Sequence, residues 1–273
     1  MVDMHIHTNN SDGQYTTKEI VQKLKKLDTE MFSITDHDNI KSCSEMKNID
    51  LPKNMIYVPG VELSAVNGMY NCHILGYNFD YTNDEIKKTC NKINNRRLEK
   101  VEAIMNYLIE ERNIEFDEEE LDELYDKQTL GRYDIYRLLN KKGFGTKKEI
   151  YDNYLTGIKG IKTHRIEIED ATQAIKSAKG VSILAHPKEI EQKYEVEIEA
   201  IIKDFLEKGI DGIEVYNTIH SVKEMRRYLE LAKKYNLLIT GGSDFHGESH
   251  PERELGKTLT YKVKLNSSNI RLH

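Results

Sequence analysis

The sequence predicts an α/β protein, a (β/α) barrel interrupted by an all-helical insertion. Three observations carry that prediction. Short apolar runs that suit buried strands alternate with segments of helical periodicity at both ends of the chain. Nearly every run ends in histidine or a carboxylate, and β/α barrels gather their chemistry at the C-terminal ends of their strands. From about Asp84 to residue 164 the pattern is helical, with no convincing strand. A doubly wound sheet is the competing architecture, but it collects ligands at a single crevice. Ligands after nearly every strand favour closure. The expected organisation is residues 1–83 and 165–273 as one discontinuous barrel, with 84–164 inserted.

The opening stretch Val2-Asp3-Met4-His5-Ile6-His7 alternates, so Asp3, His5 and His7 leave one face of a strand and Val2, Met4 and Ile6 the other. Thr16-Thr17 offers a cap for a helix carrying Ile20, Val21, Leu24 and Leu27 at helical spacing. Met31 to Thr35 is an apolar run ending in Asp36-His37-Asp38, and residues 40–47 suit a short helix. Met55 to Val58 and Val61 to Leu63 read as a strand broken by Pro59-Gly60. Asn67-Gly68 is a hairpin signal that returns the chain from Tyr70 to Tyr77, with His73 on the return strand.

In the insertion, Leu98, Val101, Met105 and Leu108 mark a long amphipathic helix. Asp117 to Asp126 is an acidic, solvated helix face, and shorter helices surround Gly143 and Gly145. Alternation then resumes near Ile166. Helices at 171–178, 196–208 and 221–235 precede strands at Val181–Ala185, Gly212–Tyr216 and Leu237–Thr240. A final strand is expected around Lys257–Val263.

Composition excludes several classes. At 273 residues the chain suits one large domain or a domain with an insertion. No stretch approaches the roughly 20 apolar residues that cross a bilayer, and the N-terminus lacks a basic segment followed by an apolar core. Cys43, Cys72 and Cys90 form no C-x-x-C pair, so neither a disulfide framework nor a zinc knuckle is expected. A reducing cytoplasm is the expected compartment. The net charge of −6 argues against broad coating of nucleic acid while leaving room for a local basic pocket.

Six of the ten histidines lie on a strand or just past its end: His5, His7, His37, His73, His186 and His246. Asp3, Asp12, Asp36, Glu62 and Asp244 accompany them. One such histidine is ordinary packing. Six with carboxylates, converging on one barrel mouth, point to a metal site.

Asp3-Met4-His5-Ile6-His7-Thr8, Thr35-Asp36-His37-Asp38, Gly60-Val61-Glu62, Ala185-His186-Pro187 and Gly242-Ser243-Asp244-Phe245-His246 resemble, in order, the motifs of the PHP (polymerase and histidinol phosphatase) superfamily. That resemblance implies a distorted seven-stranded β/α barrel and two or three divalent ions, Mn2+, Fe2+ or Zn2+. Arg96-Arg97, Gly131-Arg132 and Gly212-Ile213-Glu214-Val215-Tyr216 resemble a subgroup of predicted metal-dependent phosphoesterases with a helical insertion, some of which act on nucleoside 3′,5′-bisphosphates or on 5′ ends of short RNA.

Carried over by position, the resemblance implies a first metal on His5, His7, Glu62 and Asp244. Glu62 would bridge to a second, held with His73 and His186, and a third would take Asp12, His37 and His246. The Ser11-Asp12-Gly13 segment departs from members with a histidine there, and an oxygen ligand favours a harder ion. Asp36 is expected to orient a metal-bound histidine. Asp3 suits that role or a strand-start hydrogen bond equally.

Asp36 and His220 are the candidate catalytic residues, His220 as leaving-group acid or substrate contact against an alternative place at a solvent-exposed helix start. Arg132 is the preferred phosphate ligand, with Arg96 and Arg97 behind it, because the guanidinium fork grips oxyanions in pairs. Metals would neutralise the repulsion between phosphate ester and hydroxide and lower the pKa of bound water.

The expected activity is a metal-dependent phosphatase on a small phosphorylated nucleotide, a nucleoside 3′,5′-bisphosphate foremost, with the insertion as one wall of the substrate pocket. The alternatives are a 5′–3′ exonuclease on short single-stranded oligonucleotides, a histidinol-phosphatase-like enzyme, and an inactive metal-binding regulatory module. No membrane partner is expected, and oligomeric state is not legible.

Overall fold

The computed structural model describes residues 1–257 apart from Gln128 and Ser249. The expected strand at Lys257–Val263 therefore lies outside the described residues beyond Lys257. The chain forms two compact units: Met1–Cys90 with the chain from Ile166 onward, and Asn91–Arg165.

The first unit is α/β. Strands β1 (Val2–Asp3), β2 (Met31–Phe32) and β3 (Ile56–Tyr57) form a parallel sheet in that order. A second sheet has the order β6-β4-β5-β7-β8-β9, from β4 (Gly60–Asn67), β5 (Tyr70–Tyr77), β6 (Ile166–Glu167), β7 (Val181–Leu184), β8 (Gly212–Asn217) and β9 (Leu238–Gly242). Among the described residues no regular ladder closes these sheets into a ring. They meet instead through single bridges, Ile6 with Phe245 and His37 with Glu62. The Met4 N–H donates to Gly241 O at 3.1 Å, the His7 N–H to Phe245 O at 2.9 Å, and the Asp38 N–H to Glu62 O at 2.9 Å.

The second sheet is mixed, not parallel throughout. β5 runs antiparallel to both β4 and β7. The cause is the hairpin, since a two-residue turn can join only antiparallel strands. Its register also moves by one residue. Asn67 pairs with Tyr70, so the turn is Gly68-Met69, with Gly68 at φ +57°. Glycine adopts that left-handed conformation without the steric penalty of a side chain.

Helix α1 (Thr17–Lys26) starts where its signals place it, with Thr16 and Glu19 forming a reciprocal capping box. Ile20, Val21 and Leu24 pack with Ile6, Phe32 and Ile34. α2 (Lys41–Glu45) is the short helix expected after the second strand. In the C-terminal half come α7 (Ile168–Ser177), α8 (Pro187–Tyr194), α9 (Ile198–Glu207) and α10 (Val222–Lys234). Helix α8 was not anticipated, because His186-Pro187 reads as the end of a strand. Proline suits the first helical turn, where its missing N–H needs no partner, and here it opens the helix.

The second unit is helical. α3 (Asp84–Glu110) enters it from the first, followed by α4 (Glu118–Tyr125), α5 (Arg132–Lys141) and α6 (Lys147–Ile150). Among the described residues no strand lies between Tyr77 and Ile166. The first residues of α3 stay with the first unit, where Ile86 and Cys90 are buried. Leu98, expected on the apolar stripe, is exposed. The stripe is Val101, Ile104, Met105 and Leu108, joined by Ile135, Leu138 and Leu139 of α5 in one apolar core.

Candidate metal centre

Glu62 on β4 is fully buried and sits among five imidazoles. Its Oε1 lies 3.0 Å from His186 Nε2 and 3.1 Å from His73 Nδ1. Its Oε2 lies 3.1 Å from His37 Nδ1, 3.2 Å from His7 Nε2 and 3.3 Å from His5 Nε2. Asp244 Oδ1 stands 3.3 Å from both His5 Nε2 and His7 Nε2. Asp12 closes the far side, with Oδ1 3.3 Å from His246 Nε2 and Oδ2 3.7 Å from His37 Nε2.

Among the described residues, three groups each bring their donor atoms within 4.8 Å of one another: His5, His7, Glu62 and Asp244; His7, Asp12, His37 and His246; and His37, Glu62 and His73. The structure brings all nine expected ligands to one place, but it distributes them differently in two respects. His7 stands in two of the groups, and His37 stands where the second expected group has His186. His186 is 3.0 Å from Glu62 but outside the tight groups.

The donors fit a cation better than they fit one another. His5 Nε2, His7 Nε2, Asp12 Oδ1 and Glu62 Oε2 are buried and make no hydrogen bond, although their neighbours are 3–4 Å away. Unpaired buried polar atoms are normally too costly to keep. Lone pairs aimed at a shared point are the arrangement a divalent ion satisfies.

Without an ion, the carboxylates hold protons on the rings. Burial works against charge on His7, yet Asp244 and Glu62 beside it raise its pKa to about 10. His186 is held at about 9 against burial by Glu189 and Glu62. His37 has the opposite balance, and burial brings it down to about 3. Glu62 lies well below the usual carboxylate range because the surrounding imidazoles outweigh its burial. Metal binding at such a site must release protons, so affinity rises with pH.

Two ligands sit on left-handed backbone, His186 at φ +24° and Asp244 at φ +55°. Such conformations cost roughly 1–3 kcal/mol for a residue with a side chain, and they persist where the surroundings impose them. The His186 N–H donates to Glu214 Oε2 at 2.8 Å, and the Asp244 N–H to His5 O at 2.8 Å. Gly242 permits that last contact. A Cβ there would lie 2.3 Å from His5 N and His5 Cβ.

Glu214 is the functional residue that sequence reasoning quoted without giving it a role. It is fully buried on β8, and its Oε1 lies 3.0 Å from His5 Nδ1. That contact fixes the ring and directs Nε2 at Glu62 and Asp244, the carboxylate–histidine relation that orients metal ligands. His246 is oriented through its Nδ1 by Asp244 O at 2.7 Å. Spacing offered no warning, because Glu214 and His5 are 209 residues apart.

Asp36 and His220, the candidate catalytic residues, are both buried. Asp36 accepts from the Thr8 N–H at 2.7 Å and from the Thr8 and Ser11 hydroxyls at 2.8 Å. Those bonds brace the turn that carries Asp12, so Asp36 acts behind the cluster. Asp3 is likewise buried, accepting from the Ser243 N–H at 2.8 Å and the Gly256 N–H at 2.9 Å. His220 is buried rather than at an exposed helix start. Its Nδ1 donates to Val215 O at 3.0 Å and its ring packs edge-on against Tyr228, outside all three donor groups.

The arginines belong to the helical unit. Arg96 donates to Arg165 O at 3.0 Å, Arg97 to Leu130 O at 3.3 Å and Arg132 to Leu155 O at 3.5 Å. Arg132 also lies over the Tyr151 ring, 5.9 Å from its centroid.

The PHP domain model matches residues 3–238. The chain belongs to the PHP domain family. It is 27% identical to a 3′,5′-nucleoside bisphosphate phosphatase from Chromobacterium violaceum over 94% of this chain and 91% of that one. It is 28% identical to the 5′-3′ exoribonuclease Rnm of Escherichia coli over 94% and 88%. A solved structure from Bifidobacterium adolescentis superposes with a TM-score of 0.81 at 25% identity, over 94% of this chain and 91% of that one. This PHP protein is a metal-binding hydrolase of phosphoester bonds. No helix among the described residues is long and apolar enough to cross a membrane.

Proposed function

We propose that this PHP protein is a cytoplasmic phosphatase that hydrolyses a phosphate monoester of a nucleoside 3′,5′-bisphosphate. The observation that carries the reading is Glu62, buried, with eight further candidate ligand side chains gathered near it and donor atoms left unsatisfied. His5, His7, Glu62 and Asp244 hold one divalent ion, Glu62 and His73 a second with His37 or His186, and Asp12, His37 and His246 a third. When bound, such ions neutralise the phosphate and supply hydroxide near neutral pH. Asp12, standing where other members have a histidine, brings an oxygen donor to the third position and so favours a harder ion such as manganese there.

The residues around the ions keep the site in register. Glu214 orients His5, Asp36 braces the turn of Asp12, and Ser11 stands 3.4 Å from His7 Nδ1. Arg132 is the proposed phosphate ligand, with Arg96 and Arg97 as weaker candidates. The single bridges between the two sheets support reading β1, β2, β4, β5, β7, β8 and β9 as the seven staves of a distorted barrel. The compact helical unit Asn91–Arg165 supports treating 84–164 as an inserted subdomain. A 5′–3′ exonuclease on short oligonucleotides is the second reading, favoured by the similarity to the Escherichia coli enzyme.

The test is phosphate release from a nucleoside 3′,5′-bisphosphate with manganese and then with chelator. A 5′-phosphorylated oligonucleotide and histidinol phosphate are run alongside. Metal-dependent release fastest from the bisphosphate is expected. Preference for the oligonucleotide would move the assignment to nuclease, and metal retained without turnover of any of the three would leave an inactive module. Arg132→Ala should then raise KM for the preferred substrate about 10-fold with kcat little changed, the size of one lost charge-assisted hydrogen bond.

A further inference from the structure

Arg253 lies outside every motif recognised in the sequence, nine residues past Asp244 and almost buried, with its side chain 15% exposed. Nη1 donates to Asp244 Oδ2 and Nη2 to Glu189 Oε1 at 3.1 Å. The other oxygen of Glu189, Oε2, lies 3.3 Å from His186 Nδ1, and His186 Nε2 lies 3.0 Å from Glu62 Oε1. One guanidinium thus joins a carboxylate that faces His5 and His7 to a histidine on the opposite oxygen of Glu62.

We propose that Arg253 is a positioning residue of the metal centre. By holding Asp244 Oδ2 it keeps Oδ1 turned toward His5 and His7, and through Glu189 it ties that ligand group to His186. This rests on the metal-centre reading above. Asp244 stands on left-handed backbone at φ +55°, and while its Oδ1 lies near His5, His7 and His246, its Oδ2 is held by Arg253. A planar fork with two fixed donors can restrain that carboxylate, whereas an ammonium offers a point charge on a flexible stem. The alternative role, a phosphate anchor, is disfavoured by occupancy, since both Nη atoms already meet carboxylates.

The experiment compares wild type, Arg253→Lys and Arg253→Gln, each stripped with chelator, checked by circular dichroism and titrated calorimetrically with Mn2+. Metal content is counted after desalting, and kcat and KM are measured at saturating metal. Arg253→Gln should bind the ion about 10- to 100-fold more weakly, as is usual when a partner behind a metal ligand is removed. Arg253→Lys should recover only part of that loss, and KM should change less than kcat. Glu189→Gln cuts the same chain at its other end and should weaken binding by a smaller factor, which keeps the idea testable if Arg253→Gln does not fold. Equal metal affinity in all variants with a raised KM would overturn the proposal in favour of a phosphate anchor. Tighter binding by Arg253→Gln would also overturn it, because Asp244 Oδ2 would then have been withheld rather than steered. Wild type that binds no metal would instead sink the metal-centre reading itself.

Discussion

The two units use their interiors differently. In the α/β unit the buried side chains include Asp3, His5, His7, Asp36, Asp38, Glu62, His186, Glu214, Asp244 and His246, all near one set of strand ends. In the helical unit the described buried polar residues are Thr129, Asp134 and His164, and the core is aliphatic and aromatic. Burying charge is costly unless it is paired or coordinates metal. The first unit therefore carries a costly buried polar cluster beside its apolar cores, whereas the second can be reshaped without touching that cluster.

Glu62→Gln should break this contrast most severely. It keeps the shape but removes the carboxylate shared by five imidazoles, so phosphate release at saturating manganese should fall by about 10³-fold or more, and bound metal with it. Retention of both activity and metal stoichiometry would separate Glu62 from the chemistry.

Leu139→Ala probes the other interior. Leu139 is fully buried in the helical core, and truncation there should destabilise by roughly 2–5 kcal/mol. Thermal melts should show the loss, while metal content per folded molecule stays at the wild-type value. A fall in metal content would show that the units are not independent in this sense.

Glu214→Gln sharpens the comparison within the first unit. Freed from its carboxylate, His5 should bind metal about 10- to 100-fold more weakly, measured by competition with a chromogenic chelator. The smallest effect belongs to Glu123→Gln, which removes an exposed ion pair with Lys141 on the helical unit. Exposed pairs contribute little, so neither the melting temperature nor turnover should move measurably.

Most of the expected metal ligands were legible because they sit on or just past a short apolar run, a place that sequence pattern can find, whereas Asp12, in a polar turn, was reached through the PHP resemblance. The Thr16 cap was readable because capping is local, while its reciprocal partner Glu19, three residues on, was supplied by the structure. The helical character of 84–164 followed from periodicity, although Leu98 shows that one residue on a predicted stripe can still face water. The hairpin was visible in Asn67-Gly68, but the pairing of Asn67 with Tyr70 moved its loop by one residue.

Sequence alone thus determined the α/β class and the helical insertion, and its motifs marked nine candidate ligand side chains. These are local properties, written in spacing and residue type. Only the tertiary structure decided that Glu62 meets five histidines, that His37 stands between two donor groups, and that Asp36 faces the loop of Thr8 and Ser11. It alone decided the positions of Glu214, Glu189 and Arg253. Their partners lie as far as 209 residues away along the chain, and no spacing rule spans contacts made by strands crossing at one mouth.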